Sequence, residues 1–436
     1  MSAPDRLLLR GLRPLGGIPV DLLIVGGRIA EIGSRIDTLG ARTIDCDGLI
    51  ALPGLVDLHT HLREPGGEHA ETVRTGARAA AAGGYAAVIA MANTDPVADT
   101  PEVAEAVRRA AAMADCAVFP AGAVTRGLAG TELSDIPGLA RAGVRVFSDD
   151  GRCVHDSKVM RDALHAIGAV GGTLAQHAED HALTADAQVN DGPVATATGL
   201  PGWPAEAEDS IIARDCVLAA AAGTALHVCH VSTAGAVEVL RWAKHRGWPV
   251  TAEVTPHHLL LTEEEALSGD PVFKVNPPLR RVEDVMALRA ALADGTIDAV
   301  ATDHAPHAGS DKSPPWCGAR PGMLGLETAL AVVAELFVRS GQLDWAGVAD
   351  RMSVRPARIA RLSARFGRPL ERGEPATLTL VSAGRWQVDP AASHSLSRNT
   401  PVAGRVFGHR PVLTVLEGRV THDLLDRDAW QQYSIS

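Results

Sequence analysis

The chain has 436 residues, 46% of them hydrophobic, which is long enough for one large domain and a smaller accessory one. Its formal net charge of −11 argues against binding to nucleic acid or to an anionic membrane surface. The six cysteines without a C-x-x-C pair, and the lack of a signal-type or membrane-spanning apolar run, predict a cytoplasmic protein.

The two ends of the chain have the pattern of β-hairpins. Residues 21–33 are two β-rich runs around a Gly-Gly pair, and residues 411–423 have the same form around Glu-Gly. A further strand is predicted at 376–382. Because neither end has enough strands to be stable alone, we expect residues 1–54 and 366–436 to pair into one small β-sandwich domain formed by both termini.

Between these ends, short β-branched runs alternate with Ala-rich segments of helical character. The predicted strands are 55–59, 85–92, 116–124, 143–148, 172–177, 225–231, 249–255 and 297–302. The predicted helices include 71–84, 101–114, 157–170 and 232–247. This alternation predicts an α/β fold in which residues 55–365 form a (β/α)8 TIM-type barrel, with the active site at the C-terminal ends of the strands. An open doubly wound sheet is the alternative, but no G-x-G-x-x-G loop follows the first strand.

Polar side chains stand at the ends of five of these strands. His59 and His61 point to the same side of the first strand because one residue separates them, and Arg63 follows on that face. Later strands end in Asp149 and Asp150, in His177, in His230, and in Asp303 with His304 and His307 beyond it. Histidine nitrogens and carboxylate oxygens without a thiolate suit Zn²⁺ or a similar divalent ion in an open catalytic site. Independent polar caps would not account for so many such side chains on one rim.

The neighbouring residues are expected to have structural roles. His227 is predicted to be a core residue, and His257 and His258 to lie near the rim without binding metal. Cys229 should face the opposite side of its strand from the ligand after it, so we reject it as a ligand.

A metal site of this kind suits hydrolysis. A bound metal lowers the pKa of its water and polarises the attacked carbonyl, and two metals would need a bridging anion. A carboxylate after the fourth strand could be that bridge. Asp303 is placed to take a proton from the attacking water and to deliver one to a leaving nitrogen.

Two segments, DLHTHLREPG at 57–66 and ATDHAPHAGSDK at 301–312, are similar to the two signature motifs of the bacterial dihydroorotases of the amidohydrolase superfamily. Further similar segments are MANTDPVADT, FSDDG, QHAED, HVCHVSTAG, EVTPHHLLLT, KVNPPLR, GLET and NTPVAG. The resemblance therefore extends over essentially the whole chain. It implies reversible zinc-dependent hydrolysis of the cyclic amide of (S)-dihydroorotate to N-carbamoyl-L-aspartate in de novo pyrimidine (UMP) biosynthesis.

The resemblance also implies roles for individual residues. One or two Zn²⁺ ions, two being expected, would be held by His59, His61, Asp150, His177, His230 and Asp303. Asp303 would also be the catalytic acid and base. The substrate would lie beside His61, with its carboxylate on Arg63, Asn93 and His307 and its ring on Asn276 and the backbone of Pro321 and Gly322. Independently of the resemblance, the forked guanidinium of Arg63 suits bidentate binding of a carboxylate.

Two details concern how closely the chain follows the family. Pro321-Gly322 stands before MLG where many relatives have Phe-Gly before IVG, so the lid over the ring is expected to differ in shape. Some superfamily members bridge their metals with a carboxylated lysine, but none of the four lysines of this chain ends strand four or five. Asp150 is therefore the predicted bridge, and Asp149 alternates to the other face.

Two rival functions remain at this point. Hydantoinases, dihydropyrimidinases and allantoinases open related cyclic amides, but the arginine of HLREP favours a substrate with a ring carboxylate. A non-catalytic subunit that only scaffolds a transcarbamoylase would lack metal ligands, whereas all six are present. The sequence leaves open the number of metals, homo-oligomer formation and the need for an aspartate transcarbamoylase partner.

Overall fold

A computed structural model describes residues 6–37 and 40–425. The outermost parts of the predicted terminal segments, residues 1–5 and 426–436, lie outside the described residues, as do 38 and 39. The strands are β1 (Arg6–Pro14), β2 (Val20–Val25), β3 (Arg28–Gly33), β4 (Arg42–Asp45), β5 (Ile50–Pro53), β6 (Leu55–Thr60), β7 (Tyr85–Ala90), β8 (Ala117–Pro120), β9 (Val146–Phe147), β10 (Thr173–Gln176), β11 (Val189–Asn190), β12 (Gly202–Trp203), β13 (Ala225–Val228), β14 (Val250–Val254), β15 (Ala299–Val300), β16 (Leu378–Gln387), β17 (Val406–Leu416) and β18 (Arg419–Asp423).

The helices fall mainly between the strands of the middle of the chain. They are α1 (Val73–Ala82), α2 (Pro101–Ala110), α3 (Ile136–Arg141), α4 (Ser157–Ala169), α5 (Pro193–Thr198), α6 (Glu206–Ala222), α7 (Ala234–His245), α8 (Pro256–Leu260), α9 (Val282–Asp294), α10 (Gly309–Lys312), α11 (Ala329–Val333), α12 (Trp345–Ala349) and α13 (Arg355–Ile359). Among the described residues, no helix has the length and apolar character needed to cross a membrane.

Strands from both ends of the chain belong to one mixed sheet. Its order is β18-β17-β16-β5-β1-β2-β3, with β4 paired to β1. Both predicted hairpins are present, with Val25 paired to Arg28 and Leu416 paired to Arg419. The two ends meet where β16 pairs antiparallel with β5. Apolar side chains of β1, β2, β16 and β17 share one buried core, which explains why the ends associate.

The middle of the chain contains parallel strands that alternate with helices, as an α/β fold requires. Strands β6, β7 and β8 form one parallel sheet, and β9, β10, β13, β14 and β15 form another. Single parallel bridges join Gly122 to Phe147 and Thr60 to His304, at the ends of the two sheets. Each predicted strand overlaps one observed strand, although 143–148 shortens to Val146–Phe147 and 297–302 to Ala299–Val300.

The helices follow from local sequence signals and bury one face. The α4 helix begins after Asp156, whose carboxylate accepts the N–H groups of the first turn, and α7 begins after Thr233 in the same way. On α4 the buried residues Met160, Ala163, Leu164 and Ile167 recur at helical spacing. These residues join the large core that α7 and the parallel strands also share. The helices therefore stabilise the parallel strands by packing their apolar faces against them.

Candidate active site

The strand ends bring the six predicted metal ligands together in the interior. His59 is in β6 and His61 directly follows that strand, while His177 directly follows β10. Asp150, His230 and Asp303 come two or three residues after their strands. All six side chains are buried.

The backbone turns sharply at several of these positions. His230 and Asp303 have φ angles of 31° and 45°, and Arg63 has 58°. Residues other than glycine rarely adopt positive φ, and such conformations cluster at functional sites. The turn at His230 agrees with the early end of its strand, since this residue leaves the extended conformation within the predicted range 225–231.

Asp150 is the carboxylate around which the four histidines gather. Its Oδ1 lies 3.1 Å from His59 Nε2, 3.6 Å from His177 Nδ1 and 3.7 Å from His230 Nε2. Its Oδ2 lies 3.4 Å from His61 Nε2. One carboxylate thus faces both pairs of histidines, which is the geometry required of a group that bridges two cations.

Asp303 completes the half of the cluster that contains His59 and His61. Its Oδ1 is 3.0 Å from His61 Nε2 and 3.5 Å from His59 Nε2. Candidate ligand atoms within 4.8 Å of one another form one set from His59, His61 and Asp150 and another from Asp150, His177 and His230. Asp150 belongs to both sets.

The cluster has the properties of a divalent-cation site. His59 Nε2 and Asp150 Oδ1 are buried and make no directed hydrogen bond. Buried polar atoms are normally paired, so two such atoms facing each other among further nitrogen and oxygen donors fit a cation between them.

Charge in the cluster favours ionised carboxylates. Burial by itself would raise the pKa of Asp150, but the positive charge of His59 and the close approach of the His177 and His230 rings hold that pKa well below its usual range. Burial is likewise outweighed at Asp303, whose pKa is lowered by the charge of His59 and the hydrogen bond with His61. Both aspartates are therefore anionic at neutral pH, as metal binding requires.

Glu253, in β14, was not identified from the sequence as part of the site. His59 Nδ1 donates to its Oε1 at 2.9 Å, and His227 Nε2 donates to its Oε2 at 2.9 Å. Burial would raise the pKa of Glu253, but hydrogen bonds from these two histidines lower it to about 2. A carboxylate on the second ring nitrogen fixes the orientation of a metal-binding histidine. His227 is buried as predicted, yet it belongs to this network rather than to a purely apolar core.

Glu179 has the corresponding position beside His177. Its Oε2 accepts a hydrogen bond from His177 Nε2 at 3.0 Å and one from Asn276 Nδ2 at 3.2 Å. Glu179 thus connects a predicted metal ligand to a predicted ring contact. The only sequence signal was an acidic residue two positions after the ligand in QHAED.

The prediction that Cys229 faces away from the cluster is wrong. Its sulfur, a ring nitrogen of His59 and a carboxylate oxygen of Glu253 lie within 4.8 Å of one another. The alternation argument fails because β13 already ends at Val228. Burial raises the pKa of the Cys229 thiol to about 12. Neither set of candidate ligand atoms that contains Asp150 includes Cys229, so we still leave it out of the ligand set.

Asp149 and His258 have structural roles, as predicted. Asp149 Oδ1 accepts the N–H groups of Val124 and Thr125 at 2.7 and 3.0 Å, which turns it away from Asp150's partners. His258 is buried and hydrogen-bonds to Thr255 and the carbonyl of Pro277.

A cavity of about 250 Å³ opens over the cluster. Its walls include the predicted residues His61, Arg63, Asn93, Asp150, His177, His230, Asn276, Asp303, His307, Pro321 and Gly322. His59 does not line the cavity, and Arg320 is a lining residue that the sequence did not suggest. The predicted metal and substrate residues therefore share one cavity.

One wall of this cavity carries the predicted carboxylate-binding residues. Arg63 Nε donates to Pro306 O at 3.1 Å, and burial lowers the pKa of Arg63 to about 10, so the guanidinium remains charged at neutral pH. Asn93 Oδ1 accepts from His61 Nδ1 at 3.0 Å, which leaves the Asn93 amide N–H groups as donors.

His307 and Gly322 form the adjoining wall. His307 Nε2 donates to Pro321 O at 2.7 Å, so this contact uses the backbone of the residue at which the chain departs from many relatives. Gly322 has a φ of 139°, and a Cβ there would lie 2.8 Å from His307 Nε2. Only glycine fits this close approach without strain.

Comparisons with known proteins agree with this site. A family model described as "Dihydro-orotase-like" matches residues 48–236. The chain is similar to the dihydroorotase of Streptomyces coelicolor, with 57% identity over 96% of this chain and 98% of the relative, and to that of Leifsonia xyli, with 54% identity over 95% and 97%. Among solved structures it is similar to the L-hydantoinase (dihydropyrimidinase) of Arthrobacter aurescens, with a TM-score of 0.86, 26% identity and 96% coverage of both chains. This chain belongs to the dihydroorotase family.

Proposed function

We infer that the chain is a metal-dependent cyclic amidohydrolase that interconverts (S)-dihydroorotate and N-carbamoyl-L-aspartate in pyrimidine (UMP) synthesis. The observation that carries this inference is the half-buried guanidinium of Arg63 in the same cavity as the histidine and aspartate cluster. The cluster supplies what hydrolysis of a cyclic amide needs, and the arginine supplies a partner for a ring carboxylate. Relatives with 57% and 54% identity carry the name dihydroorotase.

We propose that residues 55–365 form one closed (β/α)8 barrel and that residues 1–54 and 366–436 form a β-sandwich domain. The bridges from Gly122 to Phe147 and from Thr60 to His304 support closure, because each joins an end of one parallel sheet to an end of the other. A shared apolar core beneath strands from both termini supports the sandwich.

We propose that the cluster holds two Zn²⁺ ions that share Asp150. His59, His61 and Asp303 would complete one ion's ligands, and His177 and His230 would complete those of the other. Bound at this place, the ions would polarise the attacked carbonyl and lower the pKa of water.

We propose an orientation of the substrate from the side chains that line the cavity. Arg63, the amide group of Asn93 and His307 would hold the ring carboxylate along one wall. Asn276 and the backbone of Pro321 and Gly322, which adjoin His307, would hold the amide groups of the ring. This orientation places the scissile amide towards Asp303 and Asp150, which are the cavity's carboxylates.

Asp303 is the residue proposed to move the proton. Its contacts with His59 and His61 use Oδ1, so Oδ2 is the oxygen proposed to face the reacting atoms. The ionised carboxylate would accept a proton from the attacking water and deliver it to the ring nitrogen as the amide bond breaks. Ring closure would follow the same path in reverse, beginning with protonated Asp303.

The proposed function is tested with the purified chain on dihydroorotate and on carbamoyl aspartate, with hydantoin and allantoin as comparisons and metal content measured in parallel. We expect turnover of the first pair in both directions and about two zinc ions per chain. Faster turnover of hydantoin or allantoin than of dihydroorotate would assign the site to a neutral cyclic amide instead.

The purified chain also tests the proposals about a partner protein and about the oligomeric state. Activity of the isolated chain would exclude an obligatory aspartate transcarbamoylase partner, and its mass in solution would show whether it forms a homo-oligomer. We propose a cytoplasmic location, which is supported by six free cysteine thiols, five of them buried. Cell fractionation checks this location.

A further inference from the structure

Two lysines outside the metal cluster join the chain segments that form one side of the cavity. Lys312 Nζ donates to Pro271 O at 2.9 Å and to Lys274 O at 3.1 Å. Lys274 Nζ in turn donates to Trp316 O at 2.8 Å and to Cys317 O at 3.3 Å. Each side chain therefore binds the backbone of the segment that carries the other lysine. We call this pair of interactions the lysine clasp.

The lysine clasp is connected directly to the predicted ring contacts. Gly322 N donates at 2.9 Å to Lys274 O, the same carbonyl that accepts from Lys312. Asn276 lies two residues beyond Lys274 and lines the cavity, as Gly322 does. The carbonyl of Lys274 thus connects the Lys312 ammonium to Gly322 through hydrogen bonds and to Asn276 along the chain.

The lysine clasp is unusual in its electrostatics. In the described part of the chain, neither Nζ lies within 4.0 Å of a carboxylate oxygen, so backbone carbonyls and the amide oxygen of Gln188 are the partners. Burial, together with the charge of Lys274, lowers the pKa of Lys312 to about 7. Holding a buried Lys274 and a half-buried Lys312 without an anionic partner is costly, and neutral side chains would avoid that cost. A role beyond stability would explain the arrangement.

We propose that Lys274 and Lys312 are positioning residues that hold the Pro321-Gly322 backbone and Asn276 at the separation the substrate ring requires. The inference rests on the proposed function. Neither lysine lines the cavity, so neither touches the substrate. Their effect would pass through the carbonyl of Lys274 to the amide of Gly322 and through the chain to Asn276.

The test replaces Lys312 with Met, which has a similar length but no donor. Steady-state kinetics in both directions, bound metal, and hydrogen exchange at the Gly322 amide are measured. We expect KM for both substrates to rise about tenfold with a smaller change in kcat, because ground-state contacts with the ring are lost. Exchange at Gly322 should become faster while bound zinc stays unchanged.

Two further variants complete the design. Lys312→Arg keeps the charge and donors, so it should restore most of the KM and of the Gly322 protection. Lys158→Met, on the exposed side of α4 where Lys158 bonds to Asp162, is the matched control and should behave as wild type.

Each outcome decides the proposal. Wild-type KM and Gly322 exchange in a folded Lys312→Met protein would overturn it, as would no rescue by Lys312→Arg. If Lys312→Met does not fold, Lys274→Met, which removes the donor to Trp316 O and Cys317 O, takes its place, and wild-type KM and Gly322 exchange in that variant would overturn it. If wild type itself does not act on dihydroorotate, the proposed function fails, while Gly322 exchange still tests the lysine clasp.

Discussion

At the scale of single residues, the site contains both anionic and cationic side chains. Asp150 and Asp303 are anionic because the histidines around them outweigh the effect of burial on their pKa. Arg63 remains cationic although burial lowers its pKa to about 10. A substrate with a carboxylate at one end and an amide at the other would find a partner for each.

Arg63→Lys tests the role of the guanidinium. Lysine keeps the positive charge but loses the planar fork, so we expect KM for dihydroorotate and for carbamoyl aspartate to rise about tenfold or more. Steady-state kinetics in both directions is the measurement. Unchanged KM in both directions would show that other groups hold the carboxylate.

Asp303→Asn and the pH profiles test the proton transfer. The lowered pKa of Asp303 keeps it ionised at neutral pH, which suits ring opening, whereas ring closure needs its protonated form. Hydrolysis should therefore rise towards alkaline pH and cyclisation towards acidic pH, both following one coupled titration of the cluster. Asn should slow both directions by about a hundredfold or more and leave KM largely unchanged, because it cannot carry the proton. Identical pH optima in both directions, or an active Asn variant, would refute this role.

At the scale of elements, the turn after β9 places two adjacent aspartates in different surroundings. Asp149 accepts backbone N–H groups of Val124 and Thr125 and so orders the segment after β8. Asp150 lies among the four histidines. One turn therefore organises both a neighbouring loop and the candidate metal centre.

Asp150→Asn and Asp149→Asn form a matched pair that separates these roles. Asp150→Asn removes the proposed anionic bridge, so bound zinc should fall and turnover should nearly disappear. Asp149→Asn keeps one acceptor oxygen, so it should retain zinc and lose about 1 kcal/mol of unfolding free energy. Metal analysis and denaturant unfolding check both variants. Equal losses of zinc would contradict the proposed bridging role of Asp150.

At the scale of the whole molecule, the cluster joins strands that are far apart in the chain. The side chains of the cluster come from residues between 59 and 303. The mixed sheet joins the two ends of the chain. Thr414 Oγ1 donates to Ala81 O at 2.7 Å, which connects that sheet to α1. Binding at the cluster should therefore stabilise the whole fold.

Removal of metal tests this coupling. A ligand at about a hundred times its Kd stabilises the folded state by about 3 kcal/mol, so a chelator should lower the unfolding temperature and zinc should restore it. Asp150→Asn should show a much smaller shift. Equal unfolding temperatures with and without chelator would mean that the cluster does not hold a metal in the native protein.

The amino-acid sequence by itself identified the residues that gather in the cluster and the pairing of the two ends. His59 and His61 could be assigned to one face because strand periodicity is local, and the hairpins at both ends depend on turn residues between neighbouring runs. The alternation of strands and helices then placed the polar strand ends on one rim.

Only the tertiary structure decided which residues support these ligands. Glu253 meets His59 across 194 positions of sequence, and Lys312 meets the carbonyl of Lys274 across 38. Cys229 approaches His59 because its strand ends at Val228, three residues earlier than predicted. Contacts of this kind depend on how separate strands and loops pack in space, and no local period in the sequence encodes that packing.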